Sequence, residues 1–133
     1  MILVDTSAWV EYDRATGSAV DQRLSELIAD DGAVAVTEPV IMEVTAGARD
    51  GTREHDLRRL LGRFELIRFD PTIDFDAAAR IYRTCRRKGV TPRGMIDCMI
   101  ASVAHRSGAS LLAADADLER VGEIIGVSID HPS

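Results

Sequence analysis

Short apolar runs alternate along the chain with longer stretches in which apolar side chains recur every three or four positions, the pattern of strands separated by amphipathic helices. Residues 1–4 form an apolar run with β-branched character, followed by Asp5, Thr6 and Ser7, which are helix-capping types. Val20, Leu24, Leu27 and Ile28 share one face of a predicted helix over 18–30, which Asp30, Asp31 and Gly32 close before a second strand at 33–36. Thr37 is placed to cap a third segment, with Pro39 in its first turn and Val40, Ile41 and Val44 on its apolar side. Leu57, Leu60 and Leu61 mark a helix over 53–64, and 66–69 reads as a third strand ended by Asp70 and Pro71. Phe75, Ala78, Tyr82 and Cys85 define the expected core face of a longer helix that Gly89 ends. A further helix spans 94–106 with Ile96, Ile100 and Val103 inward, and Gly108 suits the left-handed position beyond its end. A buried strand at 110–113 and a short late strand at 127–129 complete the pattern.

Strands alternating with helices predict a three-layer α/β/α fold around a mainly parallel sheet, because both sheet faces need covering. At 133 residues, the chain is expected to form a single domain, 1–133. No run approaches the roughly 18 apolar residues of a membrane span, and no leader-like segment precedes the first strand, so a cytoplasmic protein without membrane partners is expected. Cys85 and Cys98 lack the paired spacing of a zinc site or redox dithiol and read as core thiols.

The formal charge of -6 disfavours a nucleic-acid ligand if every acid stays bare. That objection weakens if some acids are neutralised by metal, and fifteen of the sixteen basic residues are arginine. Asp5 and Asp115 each follow an apolar run, at the edge where open α/β sheets place ligands. Asp97 sits beside the inward stripe of its helix, within about one turn of the start, and Glu43 is flanked by Met42 and Val44. Singly, each carboxylate reads equally as a cap or a solvated side chain; jointly, four near one sheet edge would repel one another, and a hard dication makes such a cluster tolerable.

The ordered segments Ile2-Leu3-Val4-Asp5-Thr6-Ser7, Glu38-Pro39-Val40-Ile41-Met42-Glu43, Ile96-Asp97-Cys98-Met99-Ile100-Ala101 and Asp115-Ala116-Asp117 resemble the successive acidic motifs of the PIN-domain family, in particular its VapC-type ribonuclease toxins. The resemblance covers nearly the whole chain. It implies an active site of Asp5, Glu43, Asp97 and Asp115, with Asp5 and Asp97 as ligands of Mg2+ or alternatively Mn2+. Thr6 and Ser7 then help order the site, and Asp117 is a supporting acid. Glu43 and Asp115 could orient water, complete a second metal site or assist proton transfer. Arg93, four residues before Asp97, is a candidate clamp for phosphate or carboxylate. The chain departs from the family pattern at Ala113, where many relatives carry Ser or Thr, and at Leu118, where many carry Phe.

The resemblance further implies hydrolysis of RNA to a 5'-phosphate and a 3'-hydroxyl, a homodimer, and a small cognate antitoxin. Trp9, Tyr12 and the apolar positions of helices 18–30 and 53–64 are candidates for partner contact as well as for the core. Arg80, Arg83, Arg86, Arg87 and Lys88 form a basic cluster on the expected outer side of their helix, readable as a solvated face or a phosphate-binding one. His55, His105 and His131 have no ligand spacing and no assigned role. A haloacid-dehalogenase-like phosphatase is disfavoured because Ser7 stands where its second aspartate belongs, and a receiver domain because the sole lysine is Lys88. A PIN nuclease in RNA processing and a non-catalytic RNA-binding module remain as rivals.

Overall fold

The computed structural model describes residues 1–132. Four parallel strands, β1 (Ile2–Val4), β2 (Val34–Val36), β3 (Glu65–Leu66) and β4 (Ser110–Leu112), pair in the order β3-β2-β1-β4. Around them lie α1 (Thr6–Asp13), α2 (Ala19–Ala29), α3 (Glu38–Ala46), α4 (Gly51–Leu61), α5 (Pro71–Arg87), α6 (Met95–Ser107) and α7 (Ala116–Ile124). Successive strand residues point to opposite faces, yet Leu3 and Val4 are both fully buried, as are Leu111 and Leu112. Both faces of the sheet are therefore covered, as the α/β/α expectation requires.

Register decides where the chain can assemble a site. Val4 pairs with Leu112, and the amide of Asp5 donates to the Leu112 carbonyl at 2.9 Å. The adjacent strands β1 and β4 thus end together, and the segments leaving them emerge at one carboxyl edge.

Several elements differ from the sequence expectation for local reasons. The third strand is only Glu65–Leu66, both exposed. After Ile67 donates to the Val36 carbonyl, the Phe69 amide turns to the Glu38 carboxylate at 2.7 Å, which takes the backbone off the ladder. The late strand reduces to one parallel bridge between Leu111 and Ile129, with a bidentate Arg23–Asp130 pair tying down the segment that follows. Thr37 precedes α3 but makes no capping bond; its hydroxyl oxygen is buried without a partner. The segment after Asp115, to which the apolar pattern assigns no helix, forms α7. The apolar positions on α2 and the 53–64 segment all lie in or against the core, with Val20, Ile28, Leu60 and Phe64 only partly buried there. Trp9 is likewise a core residue, packed on Phe64 and edge-on to Tyr12.

The largest correction concerns α5. Its buried line is Asp74, Ala78, Ile81 and Cys85, whereas Phe75 is 54% exposed and rests against Phe69. A carboxylate occupies the position nearest the core because it is fully partnered there. Asp74 accepts hydrogen bonds from the Ser102 hydroxyl (2.7 Å), the Arg106 Nε and Nη2 (3.1 and 2.7 Å) and the Asp70 amide (2.8 Å). Since Asp74 begins α5 while Ser102 and Arg106 lie in the second half of α6, the two helices run antiparallel. Burial would raise the Asp74 carboxyl, but Arg106, the Asp70 amide and Ser102 outweigh it and hold the group below its ordinary value.

A depressed carboxyl contributes stability above its unfolded pKa and loses it as pH falls through the folded one. Asp74→Ala should therefore lower the unfolding free energy by about 3 kcal/mol near neutral pH, since it strands a partly buried guanidinium and a buried hydroxyl. The difference from the parent should shrink on acidification. Urea unfolding of both proteins across that range checks this; a loss under about 0.5 kcal/mol at neutral pH would show that α6 does not depend on the pair.

Candidate active site

The edge where β1 and β4 end is lined by Asp5, Thr6, Ser7, Glu43, Arg93, Asp97 and Asp115, around a cavity of about 210 Å3. Every main carboxylate predicted from the sequence is present. Each arrives from a different element: Asp5 is the N-cap of α1, Glu43 lies in the last half of α3, Asp97 in the first turn of α6, and Asp115 is the N-cap of α7.

Asp5 is 4% exposed. Its Oδ2 accepts from the Ser7 amide (3.0 Å) and the Ser7 hydroxyl (2.7 Å), while Oδ1 is buried with no partner. The Ser7 hydroxyl in turn accepts from the Ala114 amide at 2.9 Å, joining the segment after β1 to the segment after β4. Thr6 donates its hydroxyl to Glu43 Oε1 at 2.7 Å and so reaches across to α3. Asp115 Oδ1 accepts from the Asp117 amide at 2.9 Å. Thr6 and Ser7 are therefore more than caps, because each connects two of the segments that carry acids.

Arg93 closes one side. Its guanidinium lies 3.4 Å from Asp115 Oδ2 and 3.0 Å from Asp117 Oδ2. Asp117 is exposed and held by Arg93 at the rim instead of lining the cavity. None of the three histidines lines it either. The thiols of Cys85 and Cys98 are buried, and burial above all pushes Cys98 up to about 12, which leaves it unreactive at neutral pH.

The acids disturb one another electrically. Burial raises the Asp5 carboxyl against the pull of Ser7 and the Thr6 amide, and the Glu43 charge raises it further. Asp97 is pushed up to about 6, first by burial and then by the charges of Asp5, Asp115 and Glu43, with Arg93 offsetting part of the effect. An orphaned buried carboxylate oxygen beside a proton-hungry carboxyl is a fitting donor set for a hard cation. No three acidic, histidine or cysteine side chains among the described residues already converge as a ligand cage.

The PIN domain family model matches residues 2–124. The chain belongs to the PIN-domain family. It is 45% identical over 125 residues to the ribonuclease VapC11 of Mycobacterium tuberculosis, 93% of each chain. It is 32% identical over 130 residues to ribonuclease VapC32 of the same species, 97% of this chain and 96% of the relative. Among solved structures, VapBC2 from Rickettsia felis, bound to a DNA fragment from its promoter, superposes with a TM-score of 0.75 at 20% identity over 98% of each chain. That likeness supports the PIN fold.

Both departures from the PIN pattern are absorbed by packing. Leu118 is fully buried and Ala113 nearly so. The tie that a hydroxyl at position 113 would supply near Asp115 has a counterpart in the contact of Ser7 with the Ala114 amide. That amide is the one site component with no sequence signal, since its role depends on two loops meeting in space.

The folded Asp97 pKa lies above its ordinary value near 4, so the fold disfavours ionisation. The penalty is absent below about pH 4, grows as pH rises through 6 and is complete above. In chelator at pH 7 to 8, Asp97→Asn should accordingly be more stable than the parent by about 1 to 2 kcal/mol after solvent screening, with the gap closing toward pH 4. Thermal melts across this range test the sign; an Asp97→Asn protein less stable than the parent at pH 7.5 would contradict the mutual repulsion.

Proposed function

We propose that this PIN-domain protein is a metal-dependent endoribonuclease and the toxin of a toxin-antitoxin pair. The observation that carries the reading is the convergence of Asp5, Glu43, Asp97 and Asp115 on one cavity at the carboxyl edge of the sheet. The ribonuclease names of the relatives that are 45% and 32% identical support the substrate class.

Asp5 and Asp97 are the proposed ligands of Mg2+, with Mn2+ as a substitute. When bound, that ion supplies Lewis-acid polarisation of the phosphodiester and a water of lowered pKa. Thr6 fixes the Glu43 carboxylate, and the α7 amide fixes that of Asp115, so both acids are oriented to accept a proton or hold a water. Arg93 at the rim is the group through which a substrate phosphate would be held, in exchange for its contacts with Asp115 and Asp117. The proposed products are a 5'-phosphate and a 3'-hydroxyl.

For the antitoxin, the groove between α1, α3 and α4 is the proposed seat. Its walls include Trp9, Val10, Val44, Ala48 and Leu57, and it shares Glu43 with the acidic cavity, so a segment lying there would reach the edge of that cavity. The proposed homodimer draws on the family resemblance and on the exposed apolar side chains of Leu66 and Phe75. No described helix is long and apolar enough to cross a membrane, and the proposed location is the cytoplasm.

Incubation with a pool of structured RNAs tests the chemistry. Cleavage should require added Mg2+ or Mn2+, stop in chelator, and fall at least about 100-fold in Asp5→Asn and in Asp97→Asn, the loss expected when several kcal/mol of metal assistance disappears. Cyclic phosphate ends, or undiminished cutting by Asp5→Asn in chelator, would exclude the mechanism.

A further inference from the structure

Arg80, Arg83, Arg86, Arg87 and Lys88 fall within nine consecutive positions of a protein whose formal charge is -6. None of the five lies within 4.0 Å of a carboxylate among the described residues, whereas Arg23, Arg53, Arg68 and Arg106 each meet one. All five are exposed. The burial of Ala78, Ile81 and Cys85 on α5 turns Arg83 and Arg87 directly outward, with Arg80 and Arg86 to either side. Two of the side chains are partly arranged already: the Arg86 guanidinium lies over the Tyr82 ring at 5.9 Å, and Arg87 donates to the Thr84 hydroxyl at 3.3 Å.

The height of this cluster follows from the helix pairing. Asp74 is fastened to Ser102 and Arg106, and α5 runs antiparallel to α6 from there. Asp97 lies about 10 Å further along α6, at 1.5 Å per residue, and the same climb on α5 reaches about residue 81. Cys85, next along the buried line, is near enough to Cys98 to influence its thiol, and Cys98 adjoins Asp97. Arg83, Arg86, Arg87 and Lys88 are therefore level with the acidic edge or just beyond it along the helix axis, on the outer face of α5. Residues 88–92 then lead from the cluster to Arg93 at the rim of the cavity.

We propose that this outer face of α5 is a binding surface for the RNA backbone, holding the substrate strand a few nucleotides from the bond cut in the acidic cavity. The inference rests on the nuclease reading of that cavity and supplies what the cavity lacks. A site rich in carboxylates repels a polyanion, and unpaired guanidiniums beside it offer bidentate phosphate contacts that offset the repulsion. Tyr82, partly buried against the core, holds the Arg86 guanidinium over its ring on this face.

The test combines Arg83→Gln, Arg86→Gln and Arg87→Gln in the Asp5→Asn protein and measures binding to mixed-sequence single-stranded RNA by fluorescence anisotropy in chelator, across a KCl series. Single-strand affinity falls with salt by about 0.7 log units per phosphate contact per log unit of salt, so the triple variant should lose about 2 from the slope and at least about 10-fold in affinity at low salt. Arg→Lys at the same three positions should restore most of the slope, and its melting curve, with that of the Gln variant, shows whether the fold is kept. A folded Gln variant with parental affinity and slope would overturn the proposal. So would tighter binding of duplex DNA than of RNA by this face. If the Gln variant fails to fold, the three single Arg→Gln proteins decide, each expected to lose about 0.7 from the slope; three unchanged slopes overturn the proposal. Cleavage by the otherwise unmodified enzyme separates the two readings. If RNA binds through α5 but is never cut, the nuclease reading fails alone; if RNA is cut with unchanged KM in the Gln variant, the surface fails alone.

Discussion

Repulsion among Asp5, Glu43, Asp97 and Asp115 is the constraint around which the carboxyl edge of this sheet is built. The fold contains it with local donors. Ser7 gives Asp5 an amide and a hydroxyl, Thr6 gives Glu43 a hydroxyl, and the start of α7 gives Asp115 an amide. Asp97 takes the first turn of α6, where the helix dipole favours negative charge. What these donors leave uncompensated is specific: one buried oxygen on Asp5 and a raised pKa on Asp97. A hydrated dication would answer both.

Holding the acids together requires rigid placement of elements far apart in sequence. The β1–β4 register brings two segments to the same edge, and the Ser7–Ala114 contact locks them there. The position of α6, and with it Asp97, is set by a second ion pair at the opposite end of the helix, where Asp74 holds Arg106 and Ser102. The two charged clusters are handled in opposite ways. Asp74 is fully paired and pulled below its ordinary pKa, which stabilises the fold; the edge acids are underpaired, which costs stability and leaves capacity for a ligand.

Much of the candidate site's placement was legible in the chain because its acids stand next to strong local signals. Asp5 and Asp115 follow apolar runs, Asp97 adjoins an inward stripe, and the ordered segments resemble those of the PIN family. Glu43 was legible through that resemblance more than through periodicity. The strands were read well where they are buried on both faces and poorly at 65–66, where a tertiary bond from the Phe69 amide to Glu38 ends pairing. On α5 the apolar pattern chose Phe75 over Asp74, because a sequence does not show that Arg106 and Ser102, some thirty residues away, will solvate a carboxylate in the core. The Ala114 amide and the α7 helix have no such signal: one depends on two loops meeting, and the other begins at Asp115, an active-site acid of the resemblance that also serves as a helix cap.

The central claim is that the edge acids form a cation site tuned by their mutual repulsion. Manganese binding followed by electron paramagnetic resonance against pH tests it most directly, since free and bound ions are counted without any substrate. The account predicts one or two Mn2+ per chain, affinity that falls as pH drops below about 6 while Asp97 takes up its proton, and loss of binding in Asp97→Asn. Binding of equal strength at pH 5 and pH 7.5, or retained in full by Asp97→Asn, would contradict it.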